Sequence, residues 1–213
     1  ISLFVLSALI LASCGTISAE NLSNAYLSNT NQTEVNVSEA GAVLTDFGVK
    51  LLASSVSDET NTLVSPMSGI SALAMTANGA QGDTRSQMEA VFGMDVLSLN
   101  SCLKAYSDVL VSSEKYKLSL ANSIWFTNDS RFTVNEDFLQ TNADYYSADI
   151  YKAPLNQKTK NDINSWVKDR TDGMIKNILD EIPPSAVMYL VNATAFEAEW
   201  QSIYEKHQVR EHI

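Results

Sequence analysis

Few residues of this 213-residue chain have the type and spacing that catalysis needs. Its two histidines, His207 and His212, stand five positions apart near the C-terminus. That spacing does not turn two imidazoles toward one metal ion, and both read as solvated tail residues. A Ser-His-Asp site would have to recruit one of them. No Gly-x-Ser-x-Gly, His-Glu-x-x-His or Gly-x-x-x-x-Gly-Lys run occurs, and no Asp-x-Asp-x-Asp-Gly calcium loop. Cys14 and Cys102 are too few for a disulfide framework. Cys102 sits in a helical pattern without a histidine or basic cluster beside it, and reads as a small buried hydrophobe rather than a reactive thiolate. The residues argue against an enzyme, and no metal or cofactor is expected.

The chemistry that remains is hydrogen bonding among apolar neighbours. In Lys117 to Phe126, Leu118, Leu120, Ile124 and Phe126 alternate with Ser119, Ala121, Ser123 and Trp125, the period of a strand with one buried face. Asn122 falls on the apolar face, where an amide without partners costs about 1–3 kcal/mol. Asn192 lies likewise inside a long β run, Ala186 to Phe196. The block from Asn61 to Met88 is the densest in signals. Thr62-Leu63-Val64 reads as a short β run. Ser65 then caps a helix, and Pro66 fits its first turn because its missing N–H costs nothing there. Ile70, Leu73, Ala74 and Ala77 recur at helical spacing. Gly79 and Gly82 bracket a turn, and Thr84 to Gln87 reads as a capping box opening a second helix, completed by Met88, Val91 and Phe92 and ended near Gly93.

Other elements must hold these positions. Ala40, Val43, Leu44, Phe47, Leu51 and Leu52 form a helical stripe, with Ser38 as cap and Glu39 placed to suit the helix dipole. Helices are expected over Val96 to Val111, Asn135 to Tyr146 and Asn156 to Lys168, and a short strand over Ala148 to Tyr151. Thr171-Asp172-Gly173 ends the last helix, and Pro183-Pro184 forbids another. Trp125 and Trp166 read as core. The fold class is α+β.

Composition bounds the function. Fourteen Lys and Arg against 25 Asp and Glu give a net charge of −11, which argues against a nucleic-acid partner, because a phosphate backbone needs a basic surface. Residues 1–11 are almost wholly apolar, too short for a membrane helix of about 20 residues, and fit the core of a signal peptide. Leu11-Ala12-Ser13-Cys14-Gly15 resembles a bacterial lipobox, in which the cysteine, Cys14, is lipidated and becomes the new N-terminus. Residues 1–14 are thus expected to be a signal peptide with lipobox, residues 15–37 a flexible polar tether rich in Asn and Ser, and residues 38–213 the domain. The expected localisation is export to the extracellular face or cell envelope, held to the membrane by the lipid anchor.

The order of the motifs resembles the serpin superfamily of serine protease inhibitors. Asn61 to Met88 is similar to the opening of its fold. Leu118-Ser119-Leu120-Ala121-Asn122 resembles the second strand of its large sheet A. Phe132 to Phe138 resembles the entry to its fifth helix. Ile163-Asn164-Ser165-Trp166-Val167 with Thr171-Asp172-Gly173-Met174-Ile175 resembles the helix lying across sheet A. Leu190-Val191-Asn192-Ala193, Phe196 and Trp200 resemble the third strand and its end. The resemblance implies the serpin fold, here the N-terminal helices and part of the mixed sheet A, with the C-terminal half missing. It implies that Ser65, Pro66 and Ser68, with Asn61, Asn122 and Asn192 beside them, form the shutter where sheet A opens, and that Trp200 stands at the breach where a new strand enters. None of these would be catalytic.

The function implied is suicide-substrate inhibition of serine, or alternatively cysteine, proteases, with the target protease as partner. The alternatives are a non-inhibitory serpin-like surface lipoprotein that binds or supports, or a degenerate gene product. The bait loop would lie beyond Ile213, so no reactive bond can be named in this chain, and residues 15–213 alone are expected to trap no protease. Glu197-Ala198, Tyr204 and Glu205 to Ile213 depart from the expected continuation, which implies either a fragment or a reading frame lost near residue 205.

Overall fold

The computed structural model describes residues 17–28, 37–57, 60–110, 116–200, 202, 205 and 207. Six helices follow in chain order: α1 (Val37–Ser55), α2 (Pro66–Ala77), α3 (Gly82–Phe92), α4 (Val96–Val109), α5 (Glu136–Tyr146) and α6 (Gln157–Arg170). Four strands, β1 (Glu20–Asn21), β2 (Tyr116–Thr127), β3 (Asp149–Ala153) and β4 (Met188–Ala198), make one mixed sheet in the order β1-β3-β2-β4. β2 runs antiparallel to β4, from Tyr116 opposite Ala198 to Phe126 opposite Met188, and parallel to β3. The α+β class is as expected.

The alternation along the strands sorts the side chains into two layers. On one face Ile124, Phe126 and Ile150 pack with Phe47, Ile70, Met75, Phe92, Leu99 and Leu139 of the first five helices. On the other, Trp125, Tyr151, Val191 and Ala193 pack beneath Ile163, Trp166 and Val167 of α6. Trp125 stacks on Tyr151 with centroids 4.0 Å apart, and its indole N–H donates to Ser123 Oγ at 2.8 Å. The Trp166 indole donates to Asp149 Oδ2 at 2.8 Å, and the Arg170 guanidinium pairs with the same oxygen while lying 5.7 Å from the Trp166 ring. Both tryptophans are buried, as expected.

Local chemistry sets the boundaries. Asp95 caps α4 by accepting from Leu97 N and Ser98 N, Asn135 caps α5 through Asp137 N, and Asn156 caps α6 through Lys158 N and Thr159 N. These backbone bonds hold the Asp95 carboxyl below its usual range. Gly93 closes α3 at φ +74, a conformation that favours glycine. The Glu89 carboxylate accepts from Val96 N at 3.0 Å and from Arg85 Nε at 2.9 Å, staples α3 to α4, and titrates below its usual range through those bonds in that order.

Several expectations are corrected. The Thr62-Leu63-Val64 run forms no strand among the described residues; Leu63 is 98% exposed, and an extended backbone without a partner ladder is not a strand. Thr84 to Gln87 does not open α3, which starts at Gly82 with Gln81 as its cap residue, so the box motif lies inside the helix. Ser38 lies inside α1, one residue past its first, Val37. Leu52, Leu73 and Val91 keep the helical period but face solvent.

The tether expected over 15–37 is ordered across 17–28. Ser18 N, Ser18 Oγ and Ala19 N all donate to Asp162 Oδ2, at 3.1, 2.6 and 3.2 Å. Glu20 and Asn21 pair with Lys152 and Tyr151, and Leu22 N donates to Ile150 O at 2.8 Å. Backbone bonds add this strand to an edge, and they require no apolar period in the added segment. The signal segment and Cys14 lie outside the described residues.

Candidate functional site

α2 meets the sheet at its first turn. Ser65 caps it, accepting from Ser68 N at 3.4 Å, and Pro66 follows at the first helical position. A Cβ on Gly48 of α1 would stand 2.9 Å from Pro66 Cγ, so glycine lets α1 close onto this turn. From here a line of hydrogen bonds crosses under the sheet. Ser65 Oγ donates to Ser68 Oγ at 3.0 Å, and Ser68 Oγ lies 2.6 Å from Thr194 Oγ1 of β4. Thr194 Oγ1 donates to Asn192 Oδ1 at 3.3 Å, Asn192 Nδ2 to Asn122 Oδ1 at 2.8 Å, and Asn122 Nδ2 to the Tyr146 carbonyl at 2.8 Å. Thr194 has one proton, and it goes to Asn192. Ser68 must therefore donate to Thr194, and every donor in the line points from α2 toward α5.

Tyr146 joins this seam to a second polar cluster. Its hydroxyl donates to Asn100 Oδ1 at 2.5 Å. Asn100 Nδ2 donates to Asn78 Oδ1 at 2.8 Å, and Asn142 Nδ2 to the Phe138 carbonyl at 2.9 Å. Asn78 is the C-cap residue of α2, so polar contacts tie both ends of that helix to the C-terminus of α5. Burial pushes the Tyr146 phenol well above its ordinary value, which keeps it a neutral donor. Among the described residues no buried side-chain N or O lacks a partner.

The seam lies beside an open edge. β4 pairs with β2 on one side and, among the described residues, with no strand on the other, which leaves an 11-residue edge able to accept a further strand. A cavity of about 250 Å³ opens between α2, α4 and β2, with Asn122 and Asn192 in its lining.

The structure thus brings together Ser65, Ser68, Asn122 and Asn192, with Pro66 setting the helix start. Asn61 is exposed in the extended stretch before α2 and makes none of these bonds. Trp200 is 78% exposed, beyond the end of β4 and away from the seam. Thr194 and Tyr146 escaped the sequence reading. For Thr194 a signal existed, since it shares the Asn192 face of β4 at a spacing of two. Among the described residues no group of three or more His, Cys, Asp or Glu is placed to hold a metal, and no helix is long and apolar enough to cross a membrane. His207 is exposed with its Nδ1 3.3 Å from Glu205 Oε2, and Cys102 is buried.

The family model described as "Serpin (serine protease inhibitor)" matches residues 42–212. The chain belongs to the serpin family. The match runs into residues 205–212, where the motifs depart from the family's expected continuation. Human Neuroserpin is 32% identical over 161 residues, covering 72% of this chain and 39% of its own length. Human Serpin B7 is 32% identical over 165 residues, covering 70% and 43%. The solved structure of the thermophilic serpin tengpin in its native state superposes with a TM-score of 0.79 at 44% identity, covering 89% of this chain and 49% of tengpin. Tengpin in its latent state gives 0.77 at 48% identity, covering 82% and 48%. This serpin chain spans less than half the length of the relatives just named, and its sheet and helices are those of a partial serpin fold.

Proposed function

We propose that this chain supplies the sheet-opening part of a serpin-type suicide-substrate inhibitor of serine proteases. In that reaction the protease serine attacks a peptide bond of a bait loop and forms an ester with the loop carbonyl, releasing the new amino terminus. The cut loop then enters sheet A as a strand before water hydrolyses the ester, and the protease is held in a distorted state. The observation that carries this reading is the seam from Ser65 to Tyr146 beside the open edge of β4. A hydroxyl and amide seam exchanges its bonds with neighbours or water at about 0.5–1.5 kcal/mol per bond, so a strand can shift beside it without uncovering a large apolar surface. The family membership and the likeness to a relative solved in native and latent states support the same reading.

Asn61 and Trp200 belong to this proposal as residues flanking the seam and the end of β4. We further propose export and anchoring through a lipid on Cys14, supported by the apolar run of residues 1–11 and by Leu11 to Gly15.

The test uses the protein as its gene encodes it, incubated with serine proteases of trypsin-like, chymotrypsin-like and elastase-like preference. An SDS-stable adduct is expected, and Thr194→Val is expected to lose inhibition faster on storage. Cleavage without adduct by all three would overturn the inhibitor reading in favour of a binding or structural role.

A further inference from the structure

In this strongly acidic chain six of the eleven described Lys and Arg residues have a carboxylate partner. Lys50 pairs with Asp46, Arg85 with Glu89, Lys104 with Asp108, Lys117 with Asp172, Arg131 with Asp129 and Arg170 with Asp149. Lys152, Lys158, Lys160, Lys168 and Lys176 form no ion pair among the described residues, and the last three line one cleft of about 440 Å³ on the outer side of α6. Lys160, Asn161, Asn164, Ser165 and Lys168 occur at i, i+1, i+4, i+5 and i+8, a single stripe of the helix. Ile163, Trp166 and Val167 occupy the buried side.

The opposite wall is the segment that returns from α6 toward β4, and Asn164 holds it in place. Asn164 Nδ2 donates to the Leu179 carbonyl at 2.8 Å, and its Oδ1 accepts from Ile178 N at 2.9 Å and Leu179 N at 3.0 Å. Lys176 and Asn177 are therefore carried on a pinned wall facing the α6 lysines. Asp180 also lines the cleft and forms no ion pair with any of the three.

Three ammonium groups sharing one cleft repel each other, and a bound anion would turn that repulsion into attraction. Lysine is a point-charge partner for tetrahedral oxyanions, and the amides of Asn161 and Asn177 add neutral donors. We propose that this cleft binds a small ligand carrying two or more phosphate or sulfate groups. The ligand bridges α6 to the 174–180 wall and stiffens the path into the edge strand β4. The proposal does not depend on the inhibitor reading.

The test titrates the whole chain by calorimetry at about 0.15 M salt, where exposed charges more than about 8 Å apart are largely screened. One arm uses inorganic tripolyphosphate and the other a fully sulfated disaccharide, which separates phosphate from sulfate as the source. Saturable one-to-one binding of at least one probe is expected, weakened about tenfold or more by Lys168→Glu, a loss of about 1.4 kcal/mol. Lys50→Glu on α1 is expected to leave it unchanged. Bound probe should also slow amide exchange across 174–180 in the parent chain and not in the Lys160→Ala/Lys168→Ala/Lys176→Ala variant. Absence of saturable binding by both probes, equal binding by the triple variant, or unchanged exchange across 174–180 would each overturn the proposal.

Discussion

Asn192 Nδ2 donates to Asn122 Oδ1 at 2.8 Å across a directly opposed pair of β2 and β4. Two amides facing one another on the helix-covered side of a sheet would be costly alone. They are tolerated because Thr194 supplies Asn192 Oδ1 with a donor and the Tyr146 carbonyl takes a proton of Asn122.

Thr194→Val keeps the shape and removes the hydroxyl. Ser68 Oγ loses its acceptor and Asn192 Oδ1 its donor. The expected destabilisation is about 1–3 kcal/mol, read as a lower urea midpoint at unchanged slope. Thr194→Ser retains the hydroxyl and should recover most of it. Equal midpoints for Val and Ser variants would refute a role for this hydroxyl in the seam.

Gly48 and Gly41 both lie in α1 and should respond to alanine with opposite signs. At Gly48 the new Cβ meets Pro66 Cγ at 2.9 Å, so the helices must part, at about 1–3 kcal/mol. At Gly41 nothing lies within 4 Å, and alanine should stabilise by roughly 0.5–1 kcal/mol through helix propensity. Thermal melts of the two variants decide this.

Asp162→Ala removes the acceptor of three bonds from Ser18 and Ala19. Amide exchange over residues 18–22 should rise strongly, while α4 and α5 keep their protection. Global stability should fall by about 1–3 kcal/mol. Unchanged exchange over 18–22 would show that pairing with β3 alone holds the segment.

Burial first, and then the Asp149 carboxylate, push the Tyr151 phenol up to about 12 from an ordinary value near 10. Between those values the unfolded chain has released its proton and the folded chain has kept it, so stability falls as pH rises. This contribution is complete below pH 10 and is lost as the pH passes through about 12. Tyr151→Phe should flatten the alkaline limb of a melting-temperature profile; an unaltered limb would assign it to other groups.

Asn122 was legible because an amide on an apolar strand face needs an explanation, and the structure provides one in Asn192 and Tyr146. Thr194 was harder, being an ordinary strand residue whose partner Ser68 is 126 positions away. β1 carried no side-chain pattern at all, because its attachment is made by backbone bonds and by Asp162. The Thr62 to Val64 run misled for the converse reason: β-favouring side chains make no strand without a partner ladder.

By itself the sequence determined the helices, the Ser65 cap, the two long strands and the serpin motif order, since each depends on spacing within a few residues. Only the tertiary structure decided which hydroxyls and amides share a seam, that Glu20 and Asn21 join the sheet, and that three lysines line one cleft. Those facts depend on contacts between residues far apart in the chain, where no local period records the partner.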